Sequence, residues 1–333
     1  MSAETAPPGS ERRVRWFRRL ARAGALFAAC VVVLGAWVRL TDAGLGCPDW
    51  PGCYGHVFPQ TTHHFAQAVH EMVHRYFAST LGAIIVALVI WALARRRDRG
   101  QPVAAVVILF VLVCVQGMLG MKTVTLKLQP LIVTAHLLGG LTTLGLLWWL
   151  SLTPRQRPLT VPERSLRKYV LVGAVALALQ IALGGWTSSN YAAVACPDLP
   201  TCHHSWWPPN ADFRDAFVLW RGLGVDYEGG VLANPARIAI HVAHRTGAVV
   251  AGVALLALGA LVIRRSAWPL LRMVGALLVL AVLLQISLGM AIVHWGVPLP
   301  VATLHNAGAA CLVLVSVTLL RTLWPAPPRG MVN

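Results

Sequence analysis

Charged side chains are scarce in this sequence. Only 12% of its 333 residues are Asp, Glu, Lys or Arg, and only 12 residues are acidic. A soluble globular domain usually carries about 25% charged residues. The deficit excludes an ordinary soluble globule, and the 57% of hydrophobic residues points to a chain that is surrounded by lipid.

Long apolar runs stand where charge is missing. A helix needs about 20 apolar residues to cross a bilayer. Eight segments meet this need, near residues 22–40, 69–94, 103–121, 130–152, 168–187, 238–263, 270–292 and 300–323. The sequence therefore predicts an all-α polytopic membrane protein with eight transmembrane helices.

The basic residues predict the topology. The net charge is +16, and the Arg and Lys residues cluster before the first span and in alternate loops between spans. Alternate loops share one side of the membrane, and the positive-inside rule makes that side cytoplasmic. We therefore expect a multi-pass protein of a bacterial inner membrane with both termini in the cytoplasm, and no nucleic-acid partner.

The two halves of the sequence repeat the same features in the same order. Each half has a loop that begins Cys-Pro-Asp and ends in a second cysteine, then a His-Arg pair, then a glutamine that precedes a histidine by 20 residues. The features are Cys47–Cys53, His74-Arg75, Gln116 and His136 in the first half, and Cys196–Cys202, His244-Arg245, Gln285 and His305 in the second. Because four helices per half is an even number, both halves enter the membrane from the same side, as in a parallel repeat with a pseudo-twofold axis along the membrane normal.

The repeat predicts how the chain is divided. A cytoplasmic tail (1–21) precedes a four-helix half (22–152), a cytoplasmic linker (153–167) leads to a second four-helix half (168–323), and a cytoplasmic tail (324–333) follows. The fold expected is thus two tandem four-helix bundles. The two cysteine loops fall outside, where the compartment is oxidising and disulfides persist.

Four histidines within the predicted spans indicate the chemistry. Ionisable groups inside a membrane are costly and usually functional. Each of these histidines lies about five or six residues inside its predicted helix, which places all four at one depth, and they are His74 and His136 in the first half, His244 and His305 in the second. Two imidazoles on facing helices of a bundle can ligate one haem iron. The alternative is four buried hydrogen-bonding residues.

An acidic residue distinguishes the halves. Glu71 lies three residues before His74, on the same helical face, and its counterpart in the second half is His241. A carboxylate beside one histidine pair indicates one reactive site and one electron-transfer site, unless Glu71 is a solvated residue at a helix N-terminus. His70 and His241 are alternative ligands.

Arginines follow two of the histidines. Arg75 and Arg245 lie directly after His74 and His244, and Arg39 ends the first span. Haem propionates are anionic and bind cationic partners, so these arginines are candidate propionate ligands. The alternative is that they extend to the membrane interface.

Two stretches carry a family resemblance. Residues 39–55 read RLTDAGLGCPDWPGCYG, and residues 70–76 read HEMVHRY. Together with the paired halves, the four histidines and the cysteine pairs, they resemble haem A synthase over essentially the whole chain.

The resemblance implies an oxidoreductase. That family oxidises the C8 methyl group of haem O to a formyl group with oxygen from water, and so makes haem A for cytochrome c oxidase. His74 and His136 would ligate the iron of the substrate haem, and His244 and His305 the iron of a permanent haem b. Glu71 would be catalytic: it stabilises positive charge on the methyl carbon or directs water to it.

The resemblance also implies roles for the cysteines and for partners. The Cys47–Cys53 pair is implicated in electron or thiol exchange, with a structural disulfide as an equal alternative, and Cys196–Cys202 is expected to be a structural disulfide. The expected partners are haem O, a haem O synthase as its donor, a quinone or another electron acceptor, and the lipid bilayer. A homo-oligomer remains open.

Three other functions share part of this pattern. A di-haem b cytochrome for quinone-linked electron transfer would need the same four histidines. A quinone-linked thiol oxidoreductase would use the two cysteine pairs and would not need His244 or His305. A transporter would explain the parallel repeat but would bind no haem.

Overall fold

The computed structural model describes residues 10–59, 64–98, 101–154 and 158–324, with side chains from residue 12 onward. The outermost parts of the two predicted tails, 1–9 and 325–333, lie outside the described residues, as do three residues of the predicted linker, 155–157.

The described residues form nine α-helices. They are α1 (Ser10–Leu40), α2 (Phe65–Ala94), α3 (Val103–Thr125), α4 (Pro130–Ser151), α5 (Val161–Ser189), α6 (Phe213–Ala216), α7 (Asn234–Arg265), α8 (Pro269–His294) and α9 (Leu299–Leu323). Eight of them, all except the short α6, are long and apolar enough to cross a membrane. The prediction of an all-α protein with eight spans is confirmed.

Two helices begin well before the predicted spans. α1 begins at Ser10 rather than near residue 22, and α5 begins at Val161, inside the predicted linker. Arginine is a good helix former, so the basic segment before the first apolar run stays helical. At α5, Thr160 and Glu163 form a reciprocal capping box that starts the helix. Capping and helix propensity therefore decide where these two helices begin, and the start of the apolar run does not.

The long helices pack as two rings. α1 contacts α2 and α4, and α3 contacts the same two helices. In the second ring α5 contacts α7 and α9, and α8 contacts the same two. The rings meet where α9 packs against α1 and α4, and where α4 packs against α5. These contacts are the ones expected for two four-helix bundles; the pseudo-twofold relation between them remains a prediction.

Candidate functional site

The first histidine pair comes together between α2 and α4. The ring centroids of His74 and His136 are 6.5 Å apart, with the ring planes at 84°. His244 on α7 and His305 on α9 are close enough to interact electrostatically. All four side chains are partly buried. The structure thus brings together the residues that the sequence paired.

The predicted distance of each histidine from the start of its helix is correct for two of them and wrong for the other two. His136 and His305 each lie six residues after the first residue of their helices, but His74 lies nine residues after Phe65 and His244 ten after Asn234. α2 and α7 extend past the apolar runs because their first turns pack against the cysteine loops, where Ala68 belongs to the cluster that contains Cys47 and Cys53. Helix ends that rest on protein need no apolar run.

Every one of the four histidine rings faces a glycine on a neighbouring helix. A Cβ atom added at these glycines would lie 2.9 to 3.4 Å from Cε1 of the ring. The pairs are Gly35 with His74, Gly120 with His136, Gly184 with His244 and Gly289 with His305. Glycine at these positions lets the helices approach closely at the level of the rings.

The geometry of the first pair fits a haem iron. An imidazole nitrogen bonds a metal at about 2 Å, so two such nitrogens on one iron lie about 4 Å apart and their ring centroids about 6 Å apart. The observed 6.5 Å between His74 and His136 is in this range. Among the described residues, Nδ1 of His74, His136 and His305 is buried without a hydrogen-bond partner. Buried imidazoles that the protein leaves unsatisfied are suited to a ligand.

Glu71 is buried rather than solvated. Its side chain is 4% exposed. One carboxylate oxygen accepts a hydrogen bond from Arg75 at 2.5 Å, and the other accepts one from the backbone N–H of Cys47 at 2.8 Å. The carboxylate lies one helical turn from His74 and joins α2 to the first cysteine loop. The alternative of a solvated helix-terminal residue is wrong, because the loop covers this end of the helix.

His241 takes the place of Glu71 in the second half. Its Nδ1 atom accepts a hydrogen bond from the backbone N–H of Cys196 at 3.2 Å, as Glu71 does from Cys47. The predicted correspondence is confirmed, and it leaves the second site without a carboxylate at this position. His70, the other alternative ligand, packs edge-on against Trp37 with ring centroids 6.2 Å apart.

Arg75 binds the first cysteine loop. Its guanidinium donates hydrogen bonds to the carbonyl oxygens of Asp49 at 2.9 Å, Pro51 at 3.2 Å and Gly52 at 2.6 Å, in addition to the ion pair with Glu71. This role escaped the sequence reasoning, because backbone carbonyls carry no sequence signal. A propionate role for Arg75 stays a prediction.

Arg245 repeats this arrangement in the second half. It donates to the carbonyl oxygens of Cys196 at 2.7 Å, Asp198 at 2.9 Å and Thr201 at 2.7 Å. The His-Arg pairs therefore share a structural function that the repeat could have indicated: each arginine ties its helix to the cysteine loop that precedes it.

Arg39 joins the two halves. It donates to the carbonyl oxygen of Ser188 at 2.6 Å, pairs with Asp42 at 3.3 Å, and lies 4.1 Å from the ring centroid of Tyr191. Tyr191 in turn donates to Asp42 at 3.0 Å. These contacts fix the end of α1 against the end of α5, on the same side of the molecule as the cysteine loops.

The first cysteine loop is closed by a disulfide and by an aspartate. Cys47 and Cys53 are bonded. The carboxylate of Asp49 accepts hydrogen bonds from the backbone N–H of Tyr54 at 2.6 Å and of Gly55 at 2.7 Å. These bonds, that from Gly55 above all, hold the pKa of Asp49 below its usual value.

The second cysteine loop has the same construction. Cys196 and Cys202 are bonded, and Asp198 accepts hydrogen bonds from the Thr201 hydroxyl at 2.5 Å and from the backbone N–H of His203 and His204. The Thr201 hydroxyl, followed by the two N–H groups, lowers the pKa of Asp198. Both predicted cysteine pairings are confirmed as disulfides.

Replacing Asp49 by alanine is expected to loosen the first loop. Hydrogen bonds to a charged acceptor are lost, so at neutral pH the Cys47–Cys53 bond should be reduced by a phosphine about three- to tenfold faster. In the unmutated protein the pKa of Asp49 is lowered by folding. Its contribution is therefore present above about pH 4 and is lost as the pH falls through the folded-state value. Alkylation and mass spectrometry measure the reduction, with Cys196–Cys202 in the same chain as the internal control. Equal rates for mutant and parent would contradict the role of Asp49.

Comparison with known proteins gives a consistent result. A family model described as cytochrome oxidase assembly protein matches residues 18–317. A protein named Heme A synthase from Shewanella oneidensis is 41% identical over 92% of this chain and 96% of its own length. Another of that name, from Rhizorhabdus wittichii, is 26% identical over 87% of this chain and 88% of its own. Since the matched range runs from α1 into α9 and contains all four histidines and both cysteine loops, this chain belongs to the cytochrome oxidase assembly protein family.

Proposed function

We propose that this protein is an oxidoreductase that converts haem O into haem A by oxidising the C8 methyl group to a formyl group. Family membership and the 41% identity to a Heme A synthase support this function. The observation that carries the site assignment is that Glu71 is buried one helical turn from His74. The corresponding residue of the second half is His241, which is not acidic. A buried carboxylate beside one histidine pair gives the two pairs different chemistry.

Each of the two histidine pairs has a different role in the proposal. In the proposal His74 and His136 hold the iron of the substrate, haem O, and His244 and His305 hold a resident haem b. A haem b held there would supply one-electron transfer. The glycines that face all four rings let the neighbouring helices pack closely against the imidazoles. Arg75 and Arg245 directly follow His74 and His244 in the sequence and Arg39 lies near the end of α1, and these three arginines are the proposed partners of the propionates.

The oxidation has a defined balance. Conversion of a methyl group and one water molecule into a formyl group releases four electrons and four protons. The electrons pass to an acceptor, for which a quinone is proposed. Glu71 is the group that accepts a proton or directs water, because its carboxylate is fixed by Arg75 and by the Cys47 N–H and is kept from bulk water. Arg75 balances its charge in the absence of solvent.

The proposal includes an orientation and partners. The basic loops support an orientation with both termini in the cytoplasm and the disulfides on the outer side of a bacterial inner membrane. A haem O synthase is the proposed donor of substrate. The backbone N–H of Cys47 donates a hydrogen bond to the proposed catalytic carboxylate of Glu71. Reduction of the Cys47–Cys53 disulfide would therefore disturb the site directly.

An absorption spectrum of the purified protein, with analysis of the extracted haems by liquid chromatography and mass spectrometry, tests the function. We expect haem b together with haem O, a hydroxylated intermediate or haem A, and haem A should form when haem O and an electron acceptor are supplied. Haem b alone, with no conversion of haem O, would instead support a di-haem cytochrome. A protein without bound haem would contradict both the synthase and the cytochrome.

A further inference from the structure

Three of the four histidines are accompanied by a glutamine on the facing helix, buried at Gln116 and half-buried at Gln180 and Gln285. Each glutamine lies four residues before the glycine that faces the ring, and each histidine is followed three residues later by another glycine. The sets are Gln116, Gly120, His136 and Gly139; Gln180, Gly184, His244 and Gly247; and Gln285, Gly289, His305 and Gly308. A motif noticed in the sequence, the 20-residue spacing of glutamine and histidine, is part of this pattern.

The glutamine and the second glycine fit together. A Cβ atom added at Gly139, Gly247 or Gly308 would lie 1.7, 2.4 or 2.1 Å from the side-chain amide of its glutamine. No other residue type leaves this space, because every other side chain would overlap the amide. The amide therefore occupies a notch in the helix that carries the histidine.

Two of the three amides bond the histidine residue itself. Within the described residues Nε2 of Gln116 is buried without a hydrogen-bond partner, so this amide only packs against Gly139. Nε2 of Gln180 lies 3.1 Å from the carbonyl oxygen of His244 and 3.1 Å from its Nδ1. Nε2 of Gln285 donates to the carbonyl oxygen of His305 at 3.0 Å. Each bond joins two helices at the level of a histidine. Fixing a ligand through a neighbouring hydrogen bond is a common way to orient metal-binding histidines.

His74 is the exception. The positions that correspond to the glutamine and the notch glycine are Val31 and Phe77. Val31 has no side-chain donor, and Phe77 stacks on Phe27 with ring centroids 5.3 Å apart and planes at 3°. Within the described residues, Nδ1 of His74 is buried without a hydrogen-bond partner, as are Nδ1 of His136 and of His305, so the difference at His74 lies in the packing around it. An apolar stack takes the place of the amide and its glycine at this one histidine.

We propose that Gln116, Gln180 and Gln285 are positioning residues, and that each of them, together with its glycine, forms a lock that holds one histidine in place. Val31 and Phe77 replace this lock at His74, which makes His74 the ligand that releases the haem. The inference rests on the proposed function. It explains how two sites with the same pair of ligands differ. In the second site an interhelical amide bonds both histidine residues, whereas in the first an amide only packs beside His136 and none accompanies His74, so this site can exchange substrate for product.

Transfer of haem to apomyoglobin measures the release. The protein is loaded with haem O, and the haem that leaves is identified by chromatography, which separates haem O from haem b. Installing the lock with V31Q/F77G is expected to slow release of haem O about two- to twelvefold, the range of one net hydrogen bond, relative to V31L/F77G. That control removes the same phenyl ring and adds a side chain of similar size without an amide. Release of haem b should be equal in the two variants.

Removal of a lock gives the converse test. Gln285→Leu should speed release of haem b about two- to twelvefold and broaden its low-spin absorption or resonance signal, while the release of haem O stays unchanged. Equal haem O release from V31Q/F77G and V31L/F77G, or unchanged haem b release from Gln285→Leu, would overturn the proposal. These rates are measured on bound haem, so they remain informative even if no haem A forms and the proposed reaction fails.

Discussion

Replacing Glu71 by glutamine is expected to lower haem A formation at least about 100-fold, the usual effect of removing a positioned acid or base. Glutamine keeps the shape of the side chain and can still accept the Cys47 N–H bond, so the loop should stay in place. It cannot take up a proton or carry negative charge near the methyl group. The measurement is conversion of haem O per bound haem b, by chromatography of extracted haems.

A second buried carboxylate provides the control for this substitution. Glu163 is 1% exposed and lies at the start of α5, where it caps the helix and accepts a hydrogen bond from Ser266. Glu163→Gln removes a buried negative charge far in sequence from both histidine pairs and should leave conversion of haem O unchanged. Haem b content should equal that of the parent in both variants. Normal conversion by Glu71→Gln would remove this residue from the mechanism.

The spans could be predicted because lipid imposes a rule that sequence displays directly. An apolar run of sufficient length is needed wherever a helix meets hydrocarbon, and eight such runs became eight helices. Their ends could not be predicted equally well. α2 and α7 extend beyond their apolar runs where they pack on the cysteine loops, and α1 extends through a basic segment, because neither extension depends on apolarity.

The pairing of histidines could be predicted from the repeat, since matching positions in two halves constrain each other. The roles of the arginines could not. Arg75 and Arg245 bind backbone carbonyls of loops that precede them by more than twenty residues, and no side-chain pattern marks a carbonyl as an acceptor. The burial of Glu71 escaped prediction for the same reason: a loop covers the end of the helix, and only its folded course shows this.

Replacing His244 by alanine is expected to remove haem b and to stop formation of haem A. The imidazole is one of two proposed iron ligands. Alanine leaves no ligand in its place, since the Nε2 atom of Gln180 beside it is an amide donor without a free lone pair and the facing residue is Gly184. Loss of an axial histidine should eliminate the low-spin signal of this haem, which is about half of the total low-spin haem of the loaded protein.

His294→Ala is the matched control, because this histidine is exposed at the end of α8 and takes no part in either pair. It should keep both haems and full conversion. The His244→Ala variant should still bind haem O, because His74 and His136 lie in the other ring of helices and the two sites do not share a ligand. Loss of conversion with haem O bound would separate electron removal from substrate binding and assign electron transfer to the second half. Retention of haem b and normal conversion in His244→Ala would contradict the two-site proposal, since the second histidine pair would then have no function that its position explains.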